Sequence, residues 1–234
     1  CAAIRDFLAE AAAPGLLAAV AADLKAAFGL SHANLVKVIA FMDWKGERCL
    51  VTELVLGRNF AEAIASGRRL GFQQVHALGR VVAQVLGFIH EKGLVHGSVQ
   101  PSNVMVTSGV IKLADLGMGR LARSVPSSPS YHAPEGSLAA ADDLYALCAV
   151  LYHLLTGTHP VSQPQGPGLP LPSTLAPGVP EAFDKLLLRA LHPREELRFA
   201  SAEGMRDASA AQATGLALTR AGLARHRRAA AWHP

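Results

Sequence analysis

Apolar residues recur with two different periods along this chain, and the change of period divides it. Residues 2–9 (AAIRDFLA) alternate weakly, which predicts a strand. Residues 15–29 are rich in Ala and Leu, with Gly29 where such a helix would stop. Two β-rich runs follow, 36–44 (VKVIAFMDW) and 48–55 (RCLVTELV), around Lys45-Gly46-Glu47, the pattern of a hairpin. Between 73 and 92 the apolar residues fall at 75, 78, 82, 85, 86 and 89, one face of a helix, and Gly93 follows. Short strands are predicted at 103–107 and 110–114, joined at Ser108-Gly109. Residues 118–134 are polar and rich in Ser and Pro, without a period, and are expected to be loop. Residues 140–156 (AADDLYALCAVLYHLLT) predict a mostly buried helix. Seven prolines between 160 and 180 preclude a regular helix there. Residues 181–191 carry an amphipathic helix and 202–213 a final helical stretch, before an Ala/Arg-rich tail at 214–234. Strands first and helices afterwards make an α+β arrangement, with a small sheet at one end of a helical body.

Composition narrows the class. The chain has 234 residues, half of them hydrophobic and 17% charged, which excludes a disordered acidic or basic protein. The net charge is only +4, and Arg225, Arg227 and Arg228 concentrate much of it, so no protein-wide nucleic-acid footprint is indicated. That run reads as a solvated tail or as a juxtamembrane stretch before a span outside this chain. Cys1, Cys49 and Cys148 are far apart and odd in number, which suits a reducing, cytoplasmic compartment. No apolar run is long enough to span a membrane, and no signal peptide is visible. A first residue other than Met suggests a piece of something longer.

The informative stretch runs from His96-Gly97-Ser98-Val99-Gln100-Pro101-Ser102-Asn103 onward. Asp115-Leu116-Gly117 begins twelve residues past Asn103, Ala133-Pro134-Glu135 eighteen past Asp115, and Asp143 eight past Glu135. Order and spacing together resemble the eukaryotic-type Ser/Thr protein kinase family, including its bacterial members. His96 to Asn103 resembles the catalytic-loop pattern HRDxKPxN, Asp115-Leu116-Gly117 resembles DFG, and Ala133-Pro134-Glu135 is APE unchanged. Asp143 resembles the buried Asp that opens the central helix, and Arg198 the late Arg that pairs with Glu135. Thr52-Glu53-Leu54-Val55 resembles the gatekeeper and hinge. Ala2-Ala3-Ile4-Arg5 resembles the third-strand VAIK, and Asp23 falls where the partner of its Lys belongs.

The resemblance covers about residues 2–213. It implies a protein-kinase-like fold with a truncated small lobe, the third to fifth strands and one helix, in residues 1–57. The mainly helical large lobe would occupy 58–213 and the tail 214–234. The family's first two strands and Gly-rich loop fall outside this match. The resemblance further implies Asn103 and Asp115 as metal ligands, and Arg5, Asp23, Thr52, Glu53, Val55 and Met105 as nucleotide-facing positions.

Phosphoryl transfer relies on positioning and charge neutralisation. Here Arg5 replaces the family Lys, and Arg is not equivalent at a phosphate site. Asp23 is one methylene shorter than the family Glu. Ser98 stands where the catalytic Asp belongs, Gln100 where the next Lys belongs, and Gly97 where an Arg receives activation-loop phosphate. A hydroxyl without a neighbouring base does not replace a carboxylate near neutral pH. The expectation is a pseudokinase that regulates or scaffolds other signalling proteins or a kinase partner, with ATP and Mg2+ bound weakly or not at all. A kinase with residual phosphotransfer, and a fold that binds partners only, are the competing readings. Asp115 is read either as a metal ligand or as a turn-capping carboxylate. His96 is read as packed core, Asp143 as an acceptor for catalytic-loop amides, and Glu135–Arg198 as a structural ion pair. A Ser98–His96 hydrolase pair lacks its Gly-x-Ser-x-Gly context.

Overall fold

A computed structural model describes residues 14–45, 47–124, 131–160 and 168–208. The predicted strand at 2–9, with Arg5, lies outside the described residues, as does the tail at 214–234. The first helix, α1 (Pro14–Ala27), opens on a proline, which suits a first helical turn. It buries Val20, Leu24 and Ala27, spaced on one face.

The hairpin forms as predicted. Strands β1 (Val38–Trp44) and β2 (Glu47–Thr52) pair antiparallel, with Phe41 opposite Leu50 and a register irregularity between Val38 and Ala40. This two-stranded sheet buries Val38, Cys49 and Leu50 and leaves Ile39, Met42 and Trp44 exposed. A second sheet has the order β3-β4-β5: β3 (Arg58–Asn59), β4 (Val104–Thr107) and β5 (Val110–Leu113). Backbone bonds stitch the segment before β1 to β5: Val36 N–H donates to the Leu113 carbonyl and Leu113 N–H to the Asn34 carbonyl, both at 2.8 Å. Asn34 Nδ2 adds a bond to the Ile111 carbonyl at 2.8 Å. The hairpin is thereby anchored to the strands that carry the site.

Helix α2 (Phe60–Ala65) follows β3 directly and lies in a stretch whose sequence pattern predicts no element. Its signal is a capping box: Asn59 Oδ1 accepts from Glu62 N–H, and the Glu62 carboxylate accepts from Asn59 N–H. Helix α3 (Phe72–His90) buries Val75, Leu78, Val82, Val85, Leu86 and Ile89, the same face its periodicity predicts. Two departures from the predicted loops come next. Helix α4 (Gly119–Ser124) stands at the start of the segment expected to be loop. Six residues are too few to hold a helix by propensity, so tertiary contacts hold it: Leu121 is buried, and Arg120 and Arg123 are both ion-paired. Within the proline-rich stretch, α6 (Pro172–Leu175) forms one short helix, with Pro172 in its tolerated first-turn position.

Helix α5 (Ala140–Thr156) is the axis of the body. Every residue from Asp142 to Thr156 is buried, and Gly157 ends the helix in a left-handed conformation. Around it pack α3, α7 (Glu181–Ala190) and α8 (residues 202–208). One continuous apolar core runs from Val20 and Leu24 of α1 to Met205 of α8.

Candidate active site

The turn from 96 to 103 is held by α5. Asp143, 1% exposed, accepts from His96 N–H through Oδ2 at 2.8 Å and from Gly97 N–H through Oδ1 at 2.7 Å. His90 Nε2 lies 2.8 Å from the same Oδ2. A buried carboxylate with three such donors is fully satisfied and fixes the loop's approach to the helix. The role read for Asp143 in the sequence matches this geometry. Nothing in the sequence singles out His90, because it meets Asp143 from 53 positions away.

His96 is wholly buried. Its Nε2 bonds the Ala114 carbonyl at 2.9 Å, and its Nδ1 accepts from Ser98 N–H at 3.3 Å. This requires the neutral tautomer with the proton on Nε2. Burial pushes the imidazole pKa down, which agrees, although the nearby Asp143 charge pulls the other way. His96 therefore joins the loop to the strand end at Ala114 and is structural.

Ser98 is 2% exposed. Asn103 Nδ2 donates to both the Ser98 carbonyl at 2.8 Å and the Ser98 Oγ at 3.0 Å. Asn103 is placed by a short 3-10 turn, Pro101–Asn103, and its carbonyl accepts from Ala114 N–H at 2.8 Å. Asp115 follows immediately, with φ at +65°. Asn103 thus bonds Ser98 through its side chain and, through its carbonyl, the residue that precedes Asp115. Among the described residues no carboxylate hydrogen-bonds to Ser98 Oγ, and the Asp115 carboxylate has no hydrogen-bond partner. Burial pushes the Asp115 carboxyl pKa up. Gln100, half-buried, contributes its carbonyl to Asn103 N–H at 3.0 Å.

The remaining expected positions are carried by β2 and the segment after it, by β4 and by α1. Thr52 ends β2 and Met105 sits on β4, both half-buried. The Glu53 carboxylate pairs with Lys112 Nζ at 2.8 Å and accepts from Lys37 N–H; its bond to Lys112 holds its pKa below the ordinary range. Glu53 N–H is used by the Lys37 carbonyl at 2.9 Å, whereas the Val55 amide has no partner among the described residues. Asp23 has a partner within the described residues, whereas position 5 lies outside them: Asp23 Oδ2 accepts from Arg120 Nε at 2.8 Å. The reason is that α4 brings Arg120 under α1, and Gly117 passes so close to Leu24 that an added Cβ would lie 2.9 Å from Leu24 Cδ2.

Glu135 and Arg198 form a two-pronged pair, with Nη2 to Oε2 at 3.3 Å beside the shorter Nη1–Oε1 bond. Arg198 also donates to the His192 and Pro193 carbonyls and lies over the Tyr145 ring.

A sequence model described as "Protein kinase domain" matches residues 3–170. The chain belongs to the protein kinase family. Serine/threonine-protein kinase PksC of Streptomyces coelicolor is 31% identical over 215 residues, covering 76% of this chain and 38% of that protein. PknJ of Mycobacterium tuberculosis is 27% identical over 217 residues, covering 81% of this chain and 37% of its own. The chain spans about a third of the length of the curated bacterial relatives it matches. Among solved structures, the kinase domain of Mycobacterium tuberculosis PknI superposes with a TM-score of 0.69 at 30% identity, over 86% of this chain and 82% of that one. The kinase fold, with its strand-bearing small lobe and helical large lobe, is therefore shared. No helix among the described residues is long and apolar enough to cross a membrane.

Proposed function

We propose that this kinase domain is catalytically impaired and serves signalling as a regulatory or scaffolding module. One observation carries the reading: at the position of the family's catalytic carboxylate stands Ser98, whose Oγ is buried and taken up by Asn103. A serine hydroxyl hydrogen-bonded in this way has no base to pass a proton to. Gln100 offers no positive charge to a transferred phosphoryl group. Losing a base and a charge-stabilising group costs about 100- to 1,000-fold each.

A second reading, residual Mg-ATP-dependent transfer, draws on Asp115. A half-buried carboxylate without a hydrogen-bond partner suits a divalent cation, and Asn103 has in Oδ1, which accepts from Ser102 Oγ at 3.2 Å, a second oxygen that could turn to it. Among the described residues no group of three His, Cys, Asp or Glu surrounds such a site, so nucleotide phosphates would supply the other oxygens. When bound, Mg2+ would neutralise phosphate charge. Asp115 and Asn103 would orient it, and the Val55 amide would be available to a base edge.

The test uses the full-length protein with radiolabelled ATP and a Ser/Thr peptide mixture. The expected result is no transfer above background, with Ser98→Asp alone failing to restore it because Gln100 remains. Transfer that Asp115→Ala abolishes would overturn the impaired reading. A rise in melting temperature with Mg-ATP, lost in Asp115→Ala, is the expected sign of retained nucleotide binding.

A further inference from the structure

At the C-terminal end of α5 three buried ring side chains meet: Tyr131, which stands just before Ala133-Pro134-Glu135, His153 in the last turn of the helix, and His159 beyond it. The Tyr131 hydroxyl lies 2.7 Å from His153 Nδ1, across 22 positions of sequence. Its ring stacks on His153 and meets His159 edge-on, with centroids 6.1 and 4.6 Å apart. The two imidazoles are perpendicular, 5.5 Å apart between centroids. The rings thus tie the segment before Glu135 to the end of the helix.

This packing suits neutral imidazoles and not charged ones. A neutral His153 can accept the phenol proton at Nδ1, whereas a protonated one cannot, and the buried phenol hydrogen then loses that acceptor. Two imidazoliums at this spacing repel each other with little water between them to screen the charge. Burial holds both pKa values down, and the His153 charge acts in the same direction on His159. Charged groups on the surrounding elements are engaged with other partners. Glu135 pairs with Arg198, Arg69 beside Gly157 donates to the Leu175 carbonyl, and Asp184 of α7 accepts from Ser173 N–H. His132, next to Tyr131, responds to Arg123, Asp142 and Asp143. Tyr131 itself stays neutral, its pKa pushed up to about 12 by burial.

We infer that Tyr131, His153 and His159 form an acid-operated catch, which holds residues 131–134 on the end of α5 while both imidazoles are neutral and releases them when the imidazoles take up protons. Glu135 is the pivot: Arg198 keeps its carboxyl pKa below the ordinary value, so that pair persists while the imidazoles charge. An imidazole whose pKa is lowered in the seated state gains its proton on release, so seating weakens as pH falls from 6.5 toward about 4. The catch rests on no assumption about phosphoryl transfer.

The test is an NMR titration of the full chain with isotope-labelled Tyr, His, Leu and Val, the Tyr131 signals being identified from Tyr131→Phe. As pH is lowered from 7 to about 4.5, the Tyr131 ring signals should move to those of an exposed tyrosine, in step with the ring signals of His153 and His159. The Val85 and Leu86 methyls of α3 should stay in place. His159→Phe keeps an aromatic ring and removes one charge, so its Tyr131 midpoint should fall by about half a pH unit or more. His153→Gln/His159→Phe should keep Tyr131 seated throughout; if that variant does not fold, the single variant decides. Tyr131 signals that stay put while both imidazoles titrate, movement together with the α3 methyls, or an unchanged midpoint in His159→Phe would each overturn the catch.

Discussion

Asp23 of α1 accepts a hydrogen bond from Arg120 of α4, Oδ2 to Nε at 2.8 Å, across 97 positions of sequence. Three residues further along α4, Arg123 reaches Asp142 at the start of α5 at 3.4 Å. The short helix after Asp115-Leu116-Gly117 is therefore tied to both lobes. The Asp23–Arg120 pair is partly exposed, so its removal should change global stability by no more than about 1 kcal/mol. Its local effect should be larger. Arg120→Glu is expected to raise amide exchange across residues 119–124 while leaving α3 protected, and Asp23→Arg combined with Arg120→Asp should restore protection. Unchanged exchange in the single variant would show that Leu121 alone holds α4.

Gly97 and Gly119 meet backbone to backbone. A Cβ at Gly97 would lie 2.4 Å from Leu138 Cδ1 and 2.9 Å from Gly119 Cα, and Gly97 has φ at +68°. A Cβ at Gly119 would lie 2.8 Å from both Gly97 Cα and the His96 oxygen. The position where the family carries Arg is thus filled by α4. Gly97→Ala and Gly119→Ala should each destabilise by about 1–3 kcal/mol in urea unfolding. Gly97→Arg should expel α4, read as loss of exchange protection at 119–124. A Gly97→Arg variant as stable as the parent would contradict this packing.

Glu135 holds a guanidinium that is 1% exposed. Burial pushes the Glu135 carboxyl pKa up, but the bonds and charge of Arg198 outweigh it and leave the net value lowered. A depressed carboxylate contributes stability above its unfolded pKa that is lost as pH falls through its folded one. Glu135→Ala leaves Arg198 buried with only carbonyl partners and should cost about 3 kcal/mol near neutral pH. The same variant should show a smaller loss of stability on acidification below pH 4.5 than the parent. Parallel pH profiles would assign the pair no role in acid stability.

His153 and His159 form a ring cluster with Tyr131, whose hydroxyl lies 2.7 Å from His153 Nδ1. Burial lowers both imidazole pKa values, that of His159 to about 4. Between pH 6.5 and about 4 the unfolded chain binds protons that the folded chain does not. Stability should therefore fall as pH drops through that window. Melting temperatures measured at pH 7 and pH 5 should differ less in His159→Phe than in the parent. An equal difference in both would place the acid sensitivity elsewhere.

Much of the site is legible in the sequence because its signal is local. The residues at 96–103, 115–117 and 133–135 are identities at fixed spacing, and the apolar faces of α3 and α5 repeat every turn. Helix α2 escapes the periodic pattern although Asn59 and Glu62 spell its cap, because two residues of β3 run straight into it. Helix α4 and the pairing of Asp23 with Arg120 have no local signal at all. Six residues with one buried Leu show no period, and an ion pair between distant segments leaves no spacing to detect.

By itself the sequence determined the hairpin, the long helices α3 and α5, the family, and the serine at position 98, since periodicity and residue identity do not depend on how distant segments meet. Only the tertiary structure decided that Asp143 takes His90 as a third donor, that Gly97 makes room for α4, and that Asp23 faces Arg120. Those are contacts between segments roughly 20 to 100 positions apart, selected by packing and charge once the lobes are brought together, and no window along the chain contains both partners.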